Sequence, residues 1–221
     1  MPLIYKSYFY ITICLNVVLV YVTTSRAVWL ALLVSLISFI VIKFYREKSK
    51  HLFGITIGTS FTLVFLYIQL EGTRLGDWLN DQSREHFSKN FFSGRSGLWA
   101  ELWEAIMASP VIGHGVGVHA RDITSYQLTS HNQFLQTMLE SGFIGFVILI
   151  GLLLSLWLLL LKNLNHGVTV WSMSFFVGIL VYQSLEMSLF INNTWFGLFQ
   201  WLIICIGISF KDNYTKTDKN L

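Results

Sequence analysis

The sequence predicts an all-α, polytopic membrane protein with about six spanning helices and one long polar insertion near its middle. Three observations predict it. Of the 221 residues, 54% are hydrophobic and only 12% are charged, whereas roughly a quarter of a soluble domain is charged. The hydrophobic residues fall in runs of roughly 20, the length a helix needs to cross a bilayer. Lysine and arginine collect in alternate connections between those runs, which is the asymmetry that orients membrane proteins.

The runs cover Ile4–Thr23, Ala27–Phe44, Leu52–Leu70, Phe134–Leu161, Val168–Phe190 and Trp195–Phe210. The chain thus divides into three spans over 1–70, an insertion over 71–132, three spans over 133–210 and a polar tail over 211–221. Lys6 and the run after it resemble a signal peptide. No small-residue cleavage site follows before Thr23-Thr24-Ser25-Arg26, so the run reads as a retained span. The fourth run is longer than a bilayer requires, so its first turns should stand outside the hydrocarbon or tilt. With alternating spans, Lys6, Lys43, Arg46, Lys48, Lys50, Lys162, Lys211, Lys216 and Lys219 share one side, which should be cytoplasmic. Arg26, the insertion Glu71–Asn132 and the short turn Ile191–Thr194 then face outward.

Within the insertion, Leu98, Trp99, Leu102, Trp103, Ile106 and Met107 recur at helical spacing. Ser96 is placed to cap this helix, and Pro110 lies just past its end. It reads as a surface helix with its tryptophans at headgroup depth. It would also serve as one wall of a substrate cleft. Gly113-His114-Gly115-Val116-Gly117 follows as a tight irregular turn. With no strand before it and no crossover unit around it, a dinucleotide loop is excluded. The net charge of +3 is not gathered on a polar domain, so nucleic acid is not an expected partner. Cys14 and Cys205 lie in apolar runs, and His86, His114 and His119 have no metal-ligand spacing. No metal or other cofactor is expected.

The candidate residues gather where the insertion meets the membrane. Arg26 opens the second span; it reads as a snorkelling anchor or as a guanidinium that grips phosphate oxygens. Arg95, in Ser93-Gly94-Arg95-Ser96, is either a loop arginine paired with Glu101 or Glu104, or an anion ligand aimed from a helix start. His131 precedes the fourth span. It is structural or a general base, since imidazole titrates near neutrality. Asn132 would orient it or contact a sugar hydroxyl. Glu140 lies about two turns into that span, where a carboxylate needs a partner or water. It is a structural pair or the group that positions Arg26 or Arg95. Gly142 and Gly145 would let another helix pack closely. Glu186, with Gln183, raises the same question in the fifth span.

Together these pieces resemble the O-antigen ligase and polymerase family of bacterial membrane glycosyltransferases. The resemblance is carried by Thr24-Ser25-Arg26, Gly94-Arg95 with Leu98-Trp99, the stretch Pro110-Val111-Ile112-Gly113-His114-Gly115-Val116-Gly117, His131-Asn132-Gln133-Phe134-Leu135, and Glu140-Ser141-Gly142-Phe143-Ile144-Gly145. It covers the chain from about Thr24 to the end of the fourth span. It implies a multi-pass protein of the bacterial inner membrane with a periplasmic insertion. The implied reaction moves a glycan from undecaprenyl diphosphate to a sugar hydroxyl, of lipid A core for a ligase or of another lipid-linked glycan for a polymerase. Arg26 and Arg95 would bind the diphosphate, with Asn132 and Glu140 also in the substrate site. His131 would take the acceptor's proton, and the anomeric centre would invert without a metal. Family members usually carry about twice as many spans, so a missing N-terminal half or a partner subunit is expected. A non-enzymatic membrane subunit or a transporter of lipid-linked sugars is the alternative from another class; it would spread polar residues along several spans.

Overall fold

The computed structural model describes residues 3–23, 25–190 and 194–210. Among them are nine helices and no strand: α1 (Leu3–Thr23), α2 (Arg26–Phe44), α3 (Arg46–Leu70), α4 (Arg74–Phe87), α5 (Arg95–Ala108), α6 (Ala120–Ile123), α7 (Gln133–Leu161), α8 (Gly167–Gln183) and α9 (Thr194–Ser209). The all-α membrane architecture read from the sequence is observed. Helices α2, α3 and α7 are long and apolar enough to cross a bilayer, and α8, α9 and the Tyr10–Val22 part of α1 are shorter apolar helices. Thr24, most of the short turn Ile191–Thr194 and the tail Lys211–Leu221 lie outside the described residues.

Helix α8 forms the centre, with α2 packed along one side and α9 on another. Lipid offers helices no hydrophobic reason to associate, so close backbone approach must supply the attraction. Small residues provide it. A Cβ on Gly178 would meet Ser35 and, at 2.8 Å, the Ala31 carbonyl of α2; one on Gly207 would meet Ser172 and, at 2.7 Å, Leu160. Around this seam Ile42, Phe53, Leu153, Trp157, Met173, Phe176 and Leu180 form the core. Buried hydroxyls along the spans turn back onto their own helices: Thr56 to Leu52 O, Ser60 to Thr56 O, Ser174 to Val170 O. That satisfies their donors locally, while Ser184 Oγ to Ser60 Oγ (2.6 Å) and Thr169 Oγ1 to Gly207 O (3.0 Å) join neighbouring segments.

The two ends of the bundle differ. At one end Arg46 donates to Asn165 Oδ1 (2.9 Å), joining the α2–α3 and α7–α8 turns. Helix α3 starts at Arg46 rather than Leu52, so Lys48 and Lys50 ride on its first turns. At the other end sit α4, α5 and α6. The sequence pointed to one helix in this insertion, and α4 is an addition. Thr73 caps it through Gly76 N (3.1 Å), and Asp77 lies in its first turn.

Helix α5 is not a surface helix. Leu98, Trp99, Leu102 and Ile106 are fully buried, packed with Val64, Leu135, Met138 and Leu139, and only the Trp103–Met107 side faces outward. Its N-cap is Gly94, at φ 74°, and the Ser96 side chain is buried without capping.

Two spans depart from a simple helix. Helix α7 is broken at Gly142 (φ 62°, ψ −164°). The Pro110–Gly115 loop fills the break: Phe143 N donates to Pro110 O (2.7 Å), His114 N to Leu139 O (2.8 Å) and Gly115 N to Glu140 O (3.0 Å). The backbones approach so closely that a Cβ on Gly142 would strike the Val111 carbonyl, and one on Gly113 would lie 2.6 Å from Gly142 N. Gly142 thus admits a loop rather than another helix, and a Cβ on Gly145 would meet only Ser141 and Thr137 of its own helix. The fifth run, expected to reach Phe190, leaves the helix at Gln183. The Gln183 side chain accepts from Ser188 N (3.1 Å) and Leu189 N (3.2 Å), stabilising a turn over 184–190. Glu186 therefore lies at the end of the bundle that carries the insertion, not inside a spanning helix.

Candidate active site at the insertion end

Four ionisable side chains meet at this end. Glu186 accepts from Arg95 Nη2 through Oε1 (2.7 Å), and its Oε2 lies 3.0 Å from His131 Nδ1. Arg26, at the start of α2, donates to Ser83 Oγ (2.9 Å), Asn90 O (2.9 Å) and Ser93 Oγ (2.6 Å). An open cavity of about 300 Å³ is lined by Ser25, Arg26, Ala27, Lys89, Ser93, Arg95 and Glu186. Through Arg26 and Lys89 it adjoins a larger cavity of about 580 Å³, whose other walls are Tyr21, Val22, Trp29, His86, Phe87 and Ser88. Polar rim and apolar trough thus share two cations.

The backbone holds these groups in register. His131 sits between two fully buried residues. Ser130 O accepts from Trp99 Nε1 (2.8 Å), and Ser130 Oγ contacts Met187 Sδ (2.9 Å). Asn132 caps α7, its Oδ1 accepting from Phe134 N (2.9 Å) and Leu135 N (3.0 Å), while Nδ2 donates to Ser184 O (2.9 Å). The neighbours of His131 are thereby bonded to residues on both sides of Glu186. His131 itself takes a left-handed conformation, φ 46°, which costs an L-residue roughly 1–2 kcal/mol. Such strain persists where the surroundings fix it, and here bonds on both sides do so.

Arg95 is positioned from below. Tyr67 of α3 packs against Phe91, Phe92 and Trp99 at ring separations of 5.2–5.6 Å. That aromatic cluster seats the loop before α5, and two successive left-handed residues, Ser93 and Gly94, turn the chain into the helix. Ser93 Oγ, donating to Asn90 O (3.1 Å) while accepting from Arg26, links the two arginines' segments.

Arg26, Arg95 and His131 are thus brought to one end of the bundle. Asn132 is buried, and its amide is spent on the cap and on Ser184, so it positions its neighbour rather than facing the cavity. Glu140 reaches neither arginine: it accepts from Gln136 Nε2 (2.6 Å) and Gly117 N (3.4 Å) and steadies the glycine loop. The carboxylate that pairs with Arg95 is Glu186. Glu101, suggested as an alternative partner, binds Ser125 instead through Oε1 to the hydroxyl (2.6 Å) and Oε2 to the backbone N–H (2.7 Å). Those two bonds, the hydroxyl's first, hold its carboxyl below the ordinary range. Of the other histidines of the insertion, His114 bonds Ala105 O (2.7 Å) and His119 caps α6. The sequence signal for Glu186 is a lone carboxylate in an apolar stretch, flanked by Gln183, Ser184 and Ser188.

The chemistry available follows from the geometry. A carboxylate facing His131 Nδ1 favours the tautomer with its proton there, leaving Nε2 to accept one. Two guanidiniums at the rim of one cavity suit an anion with several phosphate oxygens.

No curated protein and no solved structure matches the chain. Comparison with known families matches residues 11–150 to the O-antigen ligase family. That stretch includes Arg26, Arg95 and His131, and it covers more than half of the sequence. The chain belongs to the O-antigen ligase family, a group of ligase- and polymerase-type membrane proteins.

Proposed function

We propose that this protein is an inverting glycosyltransferase that moves a glycan from undecaprenyl diphosphate to a sugar hydroxyl of lipid A core, at the outer face of the inner membrane. The observation that carries the reading is the Arg95–Glu186–His131 chain: Arg95 and Glu186 line, with Arg26, a cavity that adjoins an apolar trough, and His131 joins them through Glu186. The acceptor oxygen attacks the anomeric carbon from the face opposite the diphosphate. The carbon–oxygen bond to the diphosphate breaks, and the hydroxyl proton passes to His131 Nε2. Glu186 steadies the imidazolium that forms. Arg26 and Arg95 offset the charge that builds on the departing diphosphate, which is the larger electrostatic contribution in such reactions. The arginines take over the role a metal plays elsewhere.

A transport role has less support. Among the described residues, the polar groups along the spans are mainly hydroxyls and amides, and the ionisable cluster lies at one end. The test is transfer by purified protein in lipid nanodiscs, supplied with the host's lipid-linked glycan and its core acceptor. Wild type should transfer; His131→Ala should not, at equal protein level and thermal stability. Normal transfer by His131→Ala would overturn the mechanism. A surface-glycan gel of the gene-deleted host separates the acceptors: unattached core with long polymer left on the carrier means ligase, whereas core with a single repeat and no ladder means polymerase.

A further inference from the structure

The loop that plugs the break in α7 has a second property. From Ala105 to Ala120 the chain holds no Asp, Glu, Lys or Arg, although charges are frequent on both sides of it. Four of its backbone amides bond within the protein: Gly113 N donates to Ser109 O (3.1 Å), His114 N to Leu139 O, Gly115 N to Glu140 O and Gly117 N to the Glu140 carboxylate. Its aliphatic side chains turn outward, with Val111 58%, Ile112 71% and Val116 89% exposed. Outward aliphatic side chains over a partly bonded backbone suit the boundary between headgroups and acyl chains, where water still reaches the remaining polar groups, because irregular backbone within the hydrocarbon needs all its polar groups satisfied by protein.

The position of the loop identifies that medium. Gly142–Leu161 spans about 30 Å as a helix, the thickness of the hydrocarbon core. The break at Gly142 therefore falls where α7 leaves the hydrocarbon on the outer side. Ile144 N donates to Val111 O (3.3 Å), so the loop meets α7 at Phe143 and Ile144, the top of an exposed face that Val147 and Ile148 continue. That face belongs to the spanning part of α7 and meets lipid. The aliphatic surface of the loop continues it upward, and the one exposed polar side chain within 111–116, His114, is bonded through Nε2 to Ala105 O (2.7 Å).

We infer that Val111–Val116 is a membrane-embedded foot, its side chains inserted at the boundary between headgroups and acyl chains of the outer leaflet. Its occupant is bulk phospholipid. Helix α5 runs from this foot to Arg95, so the foot fixes the height of the arginine above the bilayer. This inference rests on the span assignment and not on the proposed reaction.

The test uses the full chain with Cys14 and Cys205 replaced by serine, reconstituted in phosphatidylethanolamine–phosphatidylglycerol vesicles. An environment-sensitive fluorophore is placed at Val116→Cys, at Ile112→Cys and, as the aqueous control, at Asp81→Cys on α4. The foot predicts blue-shifted emission at 112 and 116. It also predicts stronger quenching there by lipids with a nitroxide near the headgroup than by lipids with one near the chain end, and protection from aqueous iodide. Position 81 should show the opposite pattern. Iodide quenching at 116 equal to that at 81 would overturn the inference. So would blue-shifted emission insensitive to every lipid quencher, because that pattern means a protein partner or second copy covers the loop.

Discussion

Glu186→Gln isolates the contribution of one charge at nearly constant shape. In the native site one carboxylate serves two donors, Arg95 Nη2 at 2.7 Å and His131 Nδ1 at 3.0 Å. An amide keeps one acceptor oxygen and replaces the other with N–H groups that oppose whichever donor remains. A charge-assisted hydrogen bond contributes about 1.5–3 kcal/mol. The three side chains are 17–31% exposed, so the lower half of that range applies to each contact. Loss of one contact with weakening of the other gives about 1.5–3 kcal/mol, or roughly ten- to two-hundred-fold in rate if felt fully in the transition state. The assay is the nanodisc transfer reaction, with kcat and donor KM measured separately. A fall in kcat means Glu186 supports the base. Glu186→Asp, which keeps the charge but is one methylene too short for both contacts, should lie between. Wild-type kcat in Glu186→Gln would refute the positioning role, and a rise in donor KM alone would confine Glu186 to tuning Arg95.

Three other perturbations test the frame. Asn132→Ala removes the cap of α7 and the tie to Ser184; it should cost about 1–2 kcal/mol, read as a lower thermal midpoint, and lower kcat as well, because His131 loses register with Glu186. Asn132→Asp keeps the cap and should recover most of the midpoint. Gly142→Ala forces an L side chain into a backbone conformation essentially reserved for glycine (φ 62°, ψ −164°), about 1–3 kcal/mol, and against the Val111 carbonyl, about 1–3 kcal/mol more for overpacking; an unchanged midpoint would count against the plugged break. Glu101→Gln tests the surface tether to Ser125: since the folded state holds this carboxyl low, its stabilisation is present above the ordinary carboxylate range and fades as pH falls through the lowered value, so the midpoints of wild type and variant should converge in acid.

The membrane class and the long apolar helices α2, α3 and α7 were legible because bilayer thickness imposes one length and one composition on a spanning helix. What the sequence hid depends on contacts between distant segments. Helix α5 has the apolar stripe of a surface helix, and only the packing of Leu98, Trp99 and Ile106 against α3 and α7 makes it core. Gly142 lies inside an uninterrupted apolar run, and nothing local says that Pro110–Gly115 will enter the helix there. The fifth span looked continuous because Leu185, Met187 and Leu189 keep its hydropathy high; the Gln183 side chain ends it by bonding residues five and six places ahead. In the candidate site, Arg26, Arg95 and His131 stood out as polar groups at a membrane boundary. The identity of their carboxylate did not, since Glu140 and Glu186 are equally anomalous in composition and only the folded backbone separates them.

The placement of the four groups has an electrostatic logic independent of any single contact. Arg26 opens α2, Arg95 opens α5 and His131 precedes α7, so three helix N-termini, each with a partial positive charge, converge on one region. Glu186 follows the C-terminus of α8, where the helix dipole disfavours a carboxylate; Arg95 and His131 offset that cost. Around the cavity, Arg26, Lys89 and Arg95 share the lining with the carboxylate of Glu186. On the proposed reading the two arginines meet the diphosphate of the donor, and in its absence the Arg95–Glu186 pair offsets the repulsion between them. The carboxylate that faces the proposed base thus also balances one of the proposed anion ligands. This gives a physical reason for one residue to touch both halves of the proposed site.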